Sequence, residues 1–182
     1  MPSETRRGAV GALGLATAWA LLVVGVPVAF AAQGHDTPRS GYRTVVATAT
    51  YLAGSVICHQ QPTRSFYLRG TQLPVCARCA GLYLAAPFGA AWVLGTRAGS
   101  RRRTSGFAVA GAPERWRGVQ IALAVAALPT GVTWGAEFFG LLSPSNMVRA
   151  VAAIPLGFSV AAAVGLAVWV PKRAGVIQPT QR

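Results

Sequence analysis

Four long apolar segments alternate with short polar ones along the chain. They cover residues 9–32, 73–96, 120–142 and 147–170. At about 1.5 Å per residue, each is long enough to cross the hydrocarbon core of a bilayer. The pattern therefore predicts four transmembrane helices. Pro74 suits the first turn of the second helix, and Ser145 or Asn146 suits the N-cap of the last.

A fifth, shorter segment at residues 42–57 carries a hydroxyl stripe opposite an apolar face. The stripe comprises Thr44, Thr48, Tyr51 and Ser55. This spacing predicts an amphipathic helix, and about 16 residues are marginal for a full span. Pro62 is expected to end it, because residues preceding a proline avoid the α conformation. Whether this helix crosses the membrane stays open.

The first apolar segment has two interpretations. The tripeptide Ala-Phe-Ala at 29–31 fits a signal-peptidase site, so a cleaved signal sequence is an alternative to a retained span. The apolar run is longer than a usual signal core, which favours retention. The predicted organisation is an N-terminal transmembrane helix or signal sequence (1–32), a membrane domain with a Cys/His motif at 58–83 (33–170), and a polar tail (171–182).

Composition argues against the soluble classes. The chain has 17 Lys+Arg against 4 Asp+Glu and a net charge of +13, yet only 12% of its residues are charged. Soluble domains average about 25%. A nucleic-acid binder needs its basic residues on a solvated face, and too little of this chain is polar. The predicted fold class is all-α: a small polytopic transmembrane helical bundle of four full spans and one short helix. The lipid bilayer is its expected partner; the sequence identifies no protein partner and no oligomeric state.

Arginines concentrate in the loop at 97–117, where only Glu114 opposes them. Such loops mark the cytoplasmic side of a plasma-membrane protein. If the short helix does not cross, both termini also lie inside; if it crosses, the N-terminus moves outside and the later loops stay in place. Both arrangements put the stretch from Cys58 to Cys79 on the outer face.

All three cysteines lie in that stretch. Cys58 and His59 are followed, after sixteen intervening residues, by Cys76-Ala-Arg-Cys79. A Cys-x-x-Cys pair with a distant Cys and His supplies the four ligands of a tetrahedral Cys3His site. Zinc suits this set first, and copper(I) second. Because His59 directly follows Cys58, both reach one metal only where the helix unwinds.

The same thiols also fit a redox function. Arg64, Arg69 and Arg78 are nearby in sequence, and they and a helix N-terminus are expected to lower a thiol pKa. Disulfides also persist on the outer face. A membrane thiol–disulfide oxidoreductase would use Cys76 and Cys79, with Cys58 as the resolving or substrate-facing thiol. An inert disulfide or buried free thiols are the structural interpretation. Whether the protein is an enzyme stays open.

Glu137 is the only acidic residue inside an apolar segment. It is expected near the outer end of its helix, at the depth of Arg64, Arg78 and Arg149. It either pairs with an arginine to fix helix packing, or ligates a metal or moves a proton. Arg64, Ser65 and Arg78 can also bind a phosphate or a lipid head group. A small carrier or lipid-binding protein is therefore a further alternative.

The motif resembles the signature of the membrane family called domain of unknown function 2085. Its first block reads Cys58-His59-Gln60-x-Pro62-x-Arg64-Ser65-Phe66, then Gly70-x-Gln72-Leu73-Pro74-Val75-Cys76-x-Arg78-Cys79-x-Gly81-x-Tyr83. The second reads Ser145-Asn146-x-x-Arg149, followed by Gly157. The resemblance implies a small prokaryotic multi-span membrane protein with a shared site on Cys58, His59, Cys76 and Cys79. Its expected supporting residues are Arg64, Ser65, Arg78, Tyr83, Glu137 and Arg149. It implies no activity.

Overall fold

The computed structural model describes residues 3–31, 41–100 and 112–169. Within them the order is α1 (Ser3–Ala31), α2 (Gly41–Ile57), a 3-10 turn (Pro62–Arg64), β1 (Ser65–Leu68), β2 (Thr71–Cys76), α3 (Ala77–Ser100), α4 (Ala112–Phe138) and α5 (Asn146–Trp169). Helices α1, α3, α4 and α5 are long and apolar enough to cross a membrane. The predicted all-α bundle of four long helices and one short helix is confirmed.

Several predicted features lie outside the described residues. These are the segment 33–40, residues 101–111 of the predicted loop at 97–117, with three of its arginines, and the polar tail at 171–182. The division of the chain into a first helix, a membrane domain and a tail therefore stays a prediction.

Helices α3 and α5 form the most extensive helix–helix contact of the described bundle. Glycines lie where the two backbones touch. A Cβ on Gly81 would overlap the backbone carbonyl of Ala150, and one on Gly157 would overlap that of Leu82. Small residues at membrane-helix interfaces let backbones approach closely, so that van der Waals contact holds the pair together.

Helices α1 and α4 flank this pair. Helix α1 packs on α3, α5 and β2; its Val23 is fully buried, and its Trp19 meets Tyr83 edge-on with ring centroids 5.8 Å apart. Helix α4 contacts α5, where the Thr130 hydroxyl donates to the carbonyl oxygen of Ala152 at 2.8 Å. Along the rest of α4 many large apolar side chains point outward, as expected of a helix that faces lipid.

The predicted helical start of the second span, with Pro74 in its first turn, is wrong. Residues Thr71–Cys76 form β2, which pairs antiparallel with β1, and α3 begins only at Ala77. Arg69 and Gly70 have φ of 49° and 83°, the left-handed pair that a two-residue hairpin turn requires. A hairpin edge tolerates Pro74, because no ladder hydrogen bond is needed from its nitrogen there.

Helix α2 ends at Ile57, ahead of Pro62 as predicted. At 17 residues it is shorter than the four candidate spans, and it packs on β2 and α1. The Tyr51 hydroxyl donates to the backbone oxygen of Gln72. The hairpin thus lies at the end of the bundle where α3 and α5 begin and α4 finishes. This end of the bundle is termed the hairpin end below.

Candidate metal centre and arginine cluster

Three cysteines from three different parts of the fold meet at the hairpin end. Cys58 follows α2, Cys76 ends β2, and Cys79 lies in the first turn of α3. Their sulfur atoms all lie within 4.8 Å of one another, and all three are free thiols. Cys58 is buried and the other two are half-buried. These three residues are termed the thiol cluster.

Backbone and amide hydrogen bonds hold Cys58 beside the other two thiols. The Cys76 amide N–H donates to the sulfur of Cys58 at 3.1 Å. The side-chain amide of Gln60 donates to the carbonyl oxygens of Tyr51 at 2.7 Å and Pro74 at 2.8 Å. Gln60 therefore ties the end of α2 to β2, which places Cys58 against residues far along the chain.

The thiol cluster sits in an apolar setting. Cys58 belongs to one buried group with Val23, Leu73, Val75 and Ala80, against which Trp19 and Tyr83 also pack. An apolar shell restricts water and strengthens electrostatic interactions inside it, which is how outer residues tune a metal or redox site.

Cys76 is a thiol whose surroundings favour ionisation. A hydrogen bond from the Cys79 thiol lowers the pKa of Cys76 to about 5, although burial opposes the shift; the backbone N–H of Cys79 and the Cys58 thiol also contribute to the lowering. Donors at a helix start favour a thiolate in this way. The surroundings of Cys76 therefore favour its thiolate over the neutral thiol.

His59 is exposed to solvent, and the structure does not bring it into the thiol cluster. Cys58 is turned into the core, and the residue that follows it in this non-helical segment is turned outward. The donors that the structure does bring together are three sulfur atoms. Such a set leaves a position open on a four-coordinate metal.

Three arginines converge on the carboxylate of Glu137. Its Oε1 lies 2.8 Å from Arg149 Nη2 and 3.0 Å from Arg64 Nη2, and its Oε2 accepts from Arg78 Nη2 at 2.8 Å. These four residues are termed the arginine cluster. They come from α3, α4, α5 and the turn before β1. The geometry favours the interpretation that Glu137 fixes the packing of the helix ends.

Arg78 belongs to this cluster although it stands between Cys76 and Cys79 in the sequence. Its guanidinium is hydrogen-bonded to Glu137, on a different side of α3 from the thiols it separates in the chain. The two sites are therefore neighbours built on the same first turn of α3, each with its own partners.

Asn146 is a functional candidate that the sequence indicated as a possible helix cap and as part of the family's second block, but not as a site residue. Its amide donates to the carbonyl oxygens of Ser65 at 3.1 Å and Thr63 at 3.4 Å, and its oxygen accepts from Arg149 at 2.8 Å. The cap is instead Ser145, whose hydroxyl accepts from the N–H of Val148 at 3.3 Å. Asn146 thus fastens the hairpin to the start of α5.

Gln72 is a second residue whose structural role at the hairpin the sequence did not predict. Its amide donates to the backbone oxygen of Gln60 at 2.8 Å and to the hydroxyl of Ser65 at 3.3 Å. The Ser65 hydroxyl in turn donates to the backbone oxygen of Gln61 at 2.9 Å. The signal in the sequence was the presence of two glutamine amides inside a short motif between apolar segments.

Two archaeal proteins that resemble the chain are described as uncharacterized. A protein of Methanocaldococcus jannaschii is 28% identical over 121 residues, 66% of this chain and 69% of that protein. A protein of Methanothermobacter thermautotrophicus is 57% identical over 30 residues, 16% of this chain and 27% of that protein. No solved structure matches the chain. The family model described as "Predicted membrane protein (DUF2085)" matches residues 58–163, more than half of the chain. The chain, with its four candidate spans, therefore belongs to this family of predicted membrane proteins.

Proposed function

We propose that this membrane protein binds a thiophilic metal ion through Cys58, Cys76 and Cys79, with zinc as the first candidate and copper(I) as the second. The observation that carries the proposal is the meeting of three free thiols from separate elements within 4.8 Å. They are also the chain's only cysteines.

The spacing of the thiols suits a metal. With metal–sulfur bonds of about 2.3 Å, ligand sulfurs in a tetrahedral site lie about 3.8 Å apart. Closing sulfur–sulfur distances of at most 4.8 Å to that value needs changes of about 1 Å or less. Zinc sites with three protein ligands keep a fourth position open, and copper(I) accepts thiolates alone. A water molecule or another outside ligand would complete the coordination of zinc, whereas copper(I) needs no fourth ligand.

Metal analysis of the detergent-purified protein tests this proposal. Wild type should hold about one zinc or copper per chain, and Cys76→Ser and Cys58→Ser should lose it. His59→Ala is the matched control: its side chain is exposed and outside the thiol cluster, so the metal should stay. Absence of metal in wild type, together with failure to take up zinc or copper(I) under reducing conditions, would overturn the proposal. Loss of metal in His59→Ala would show a Cys3His site instead.

A thiol–disulfide oxidoreductase is the second candidate, favoured by the low pKa of Cys76 beside the Cys79 thiol. The Cys76 thiolate would attack a substrate disulfide, releasing one substrate thiol and forming a mixed disulfide. Cys79 would then displace the second substrate thiol, so that two electrons pass to the substrate and a Cys76–Cys79 disulfide remains. Cys79→Ala should trap the mixed disulfide on Cys76. If no adduct forms with a small disulfide such as oxidised glutathione, this candidate fails.

We also infer that the hairpin end faces the outside of the plasma membrane. The support is the segment 97–117 between the spans of α3 and α4, whose many arginines the positive-inside rule assigns to the cytoplasm. One span, α3, separates that segment from the thiol cluster, so the two lie on opposite sides.

A further inference from the structure

The arginine cluster carries more positive charge than it neutralises. Among the described side chains, Glu137 is the only carboxylate, and it faces three guanidinium groups. The cluster therefore holds an excess of two positive charges. Glu137 itself and the nearest two arginines are largely buried, with side chains 11–15% exposed. Charge that is withdrawn from water needs a counter-charge to be stable.

The cluster also has more donors than acceptors. The Nε atoms of Arg78 and Arg149 are buried and have no hydrogen-bond partner among the residues that the structure describes. Three guanidinium groups offer many N–H donors, whereas one carboxylate offers two oxygens. An oxyanion beside Arg64 would add negative charge and acceptor oxygens to a site in which donors outnumber acceptors.

One side of the cluster is open. The Arg64 side chain is 46% exposed, and it reaches Glu137 from the turn before β1. Arg78 and Arg149 lie in the first turns of candidate spans, and Glu137 lies in the last turn of another. This is the depth at which the hydrocarbon ends and phosphate-bearing head groups begin. The starts of α3 and α5 add partial positive charge there.

We propose that the arginine cluster binds a phosphate group, which Arg64 reaches by turning from Glu137 while Arg78 and Arg149 stay paired with the carboxylate. Guanidinium groups match phosphate oxygens in pairs, and one phosphate balances the excess charge. The group is supplied either by a phospholipid head group or by inorganic phosphate. This site is separate from the proposed metal centre and does not depend on it.

Calorimetric titration of the detergent-purified full chain tests the proposal. The probes are a short-chain phosphatidic acid, inorganic phosphate, and a diacylglycerol with the same acyl chains as the phosphate-free control. The test variant is Arg64→Gln. The matched control is Arg69→Gln, because Arg69 is exposed in the hairpin that follows Arg64 and the charge lost is the same.

Wild type should bind phosphatidic acid and not the diacylglycerol. Arg64→Gln should weaken binding about tenfold, since a hydrogen-bonded charge pair is lost, and Arg69→Gln should change it less than about twofold. Competition by inorganic phosphate supports a site that accepts the free ion; binding of phosphatidic acid alone supports a lipid head-group site.

Two results would overturn the proposal: neither phosphate probe binds, or the two variants weaken binding equally, as general charge attraction would. Thermal melting of both variants checks their folding. If Arg64→Gln does not fold, Arg64→Lys replaces it. Lysine keeps the charge but lacks the two parallel N–H donors of a guanidinium group. If Arg64→Lys then binds the phosphate probe as tightly as wild type, Arg64 does not bind the phosphate through paired hydrogen bonds and the proposal is overturned.

Discussion

Among single residues, Cys76 is the one whose thiol is made more acidic by its surroundings. A thiol with a pKa of about 5 is already ionised at neutral pH, so raising the pH further adds no thiolate. In the metal-free protein we expect alkylation of Cys76 by iodoacetamide to be nearly constant between about pH 6.5 and 8.5. An ordinary thiol would react faster by up to about tenfold per pH unit below its pKa.

Cys79→Ala is the control for that measurement. It removes the donor that stabilises the Cys76 thiolate, so the pKa should rise and the rate should again increase with pH. Mass spectrometry of the modified peptide reads the rate at Cys76 alone. A steep rise with pH in wild type would contradict a lowered pKa.

Glu137 is the residue on which the arginine cluster depends for stability. Glu137→Gln removes the only negative charge described there and leaves Arg78 and Arg149 buried without a counter-ion. We expect it to lower the free energy of unfolding by about 3 kcal/mol. Arg64→Gln should cost less than about 1 kcal/mol, because the Arg64 side chain is half exposed. Denaturation in mixed micelles compares the stability of the two variants. Equal losses of stability would contradict the role of Glu137 as the counter-ion of the buried arginines.

The residues of the site were predictable only in part. The three cysteines stood out because Cys-x-x-Cys is a local pattern, and the arginines and Glu137 because charges are rare in apolar segments. The roles of Asn146 and Gln60 rest on hydrogen bonds to residues distant in the chain. Such bonds leave no periodic signal. Nor did adjacency in sequence reveal that Cys58 turns inward while His59 stays exposed.

At the scale of elements, the contact between α3 and α5 depends on glycines. A methyl group on Gly157 would overlap the backbone of Leu82, whereas one on Gly131 in α4 would meet nothing within 4 Å. We expect Gly157→Ala to destabilise the protein by about 1–3 kcal/mol, because two backbones must separate. Gly131→Ala should change stability by less than about 1 kcal/mol. The same micelle denaturation measures both, and a neutral Gly157→Ala would contradict the close contact.

The long helices were predictable from their apolar runs, whereas the hairpin was not. Leu73, Pro74 and Val75 continue without a break into the apolar segment of α3, and periodicity cannot separate a short buried strand from the start of a helix. The available signal was the Arg69-Gly70 pair, whose second residue readily adopts positive φ. The strand also depends on cover from α1 and α2, which a local pattern does not contain.

For the whole molecule, the main expectation is its orientation. With a membrane-impermeant maleimide, Arg69→Cys at the hairpin turn should be labelled on intact cells. Arg102→Cys, in the loop at 97–117, should be labelled only after the membrane is permeabilised. Wild type labelled in parallel corrects for the native thiols. The reverse pattern would place the thiol cluster on the cytoplasmic side.

The contact between α3 and α5 also sets an order of assembly during synthesis, because α4 lies between them in the chain. At about 5–20 residues per second, α3 waits on the order of seconds for α5 to leave the ribosome. All three cysteines precede α4, so the proposed metal site can form while the nascent chain is still growing. The arginine cluster needs Glu137 and Arg149, and it closes only when the last helix has inserted.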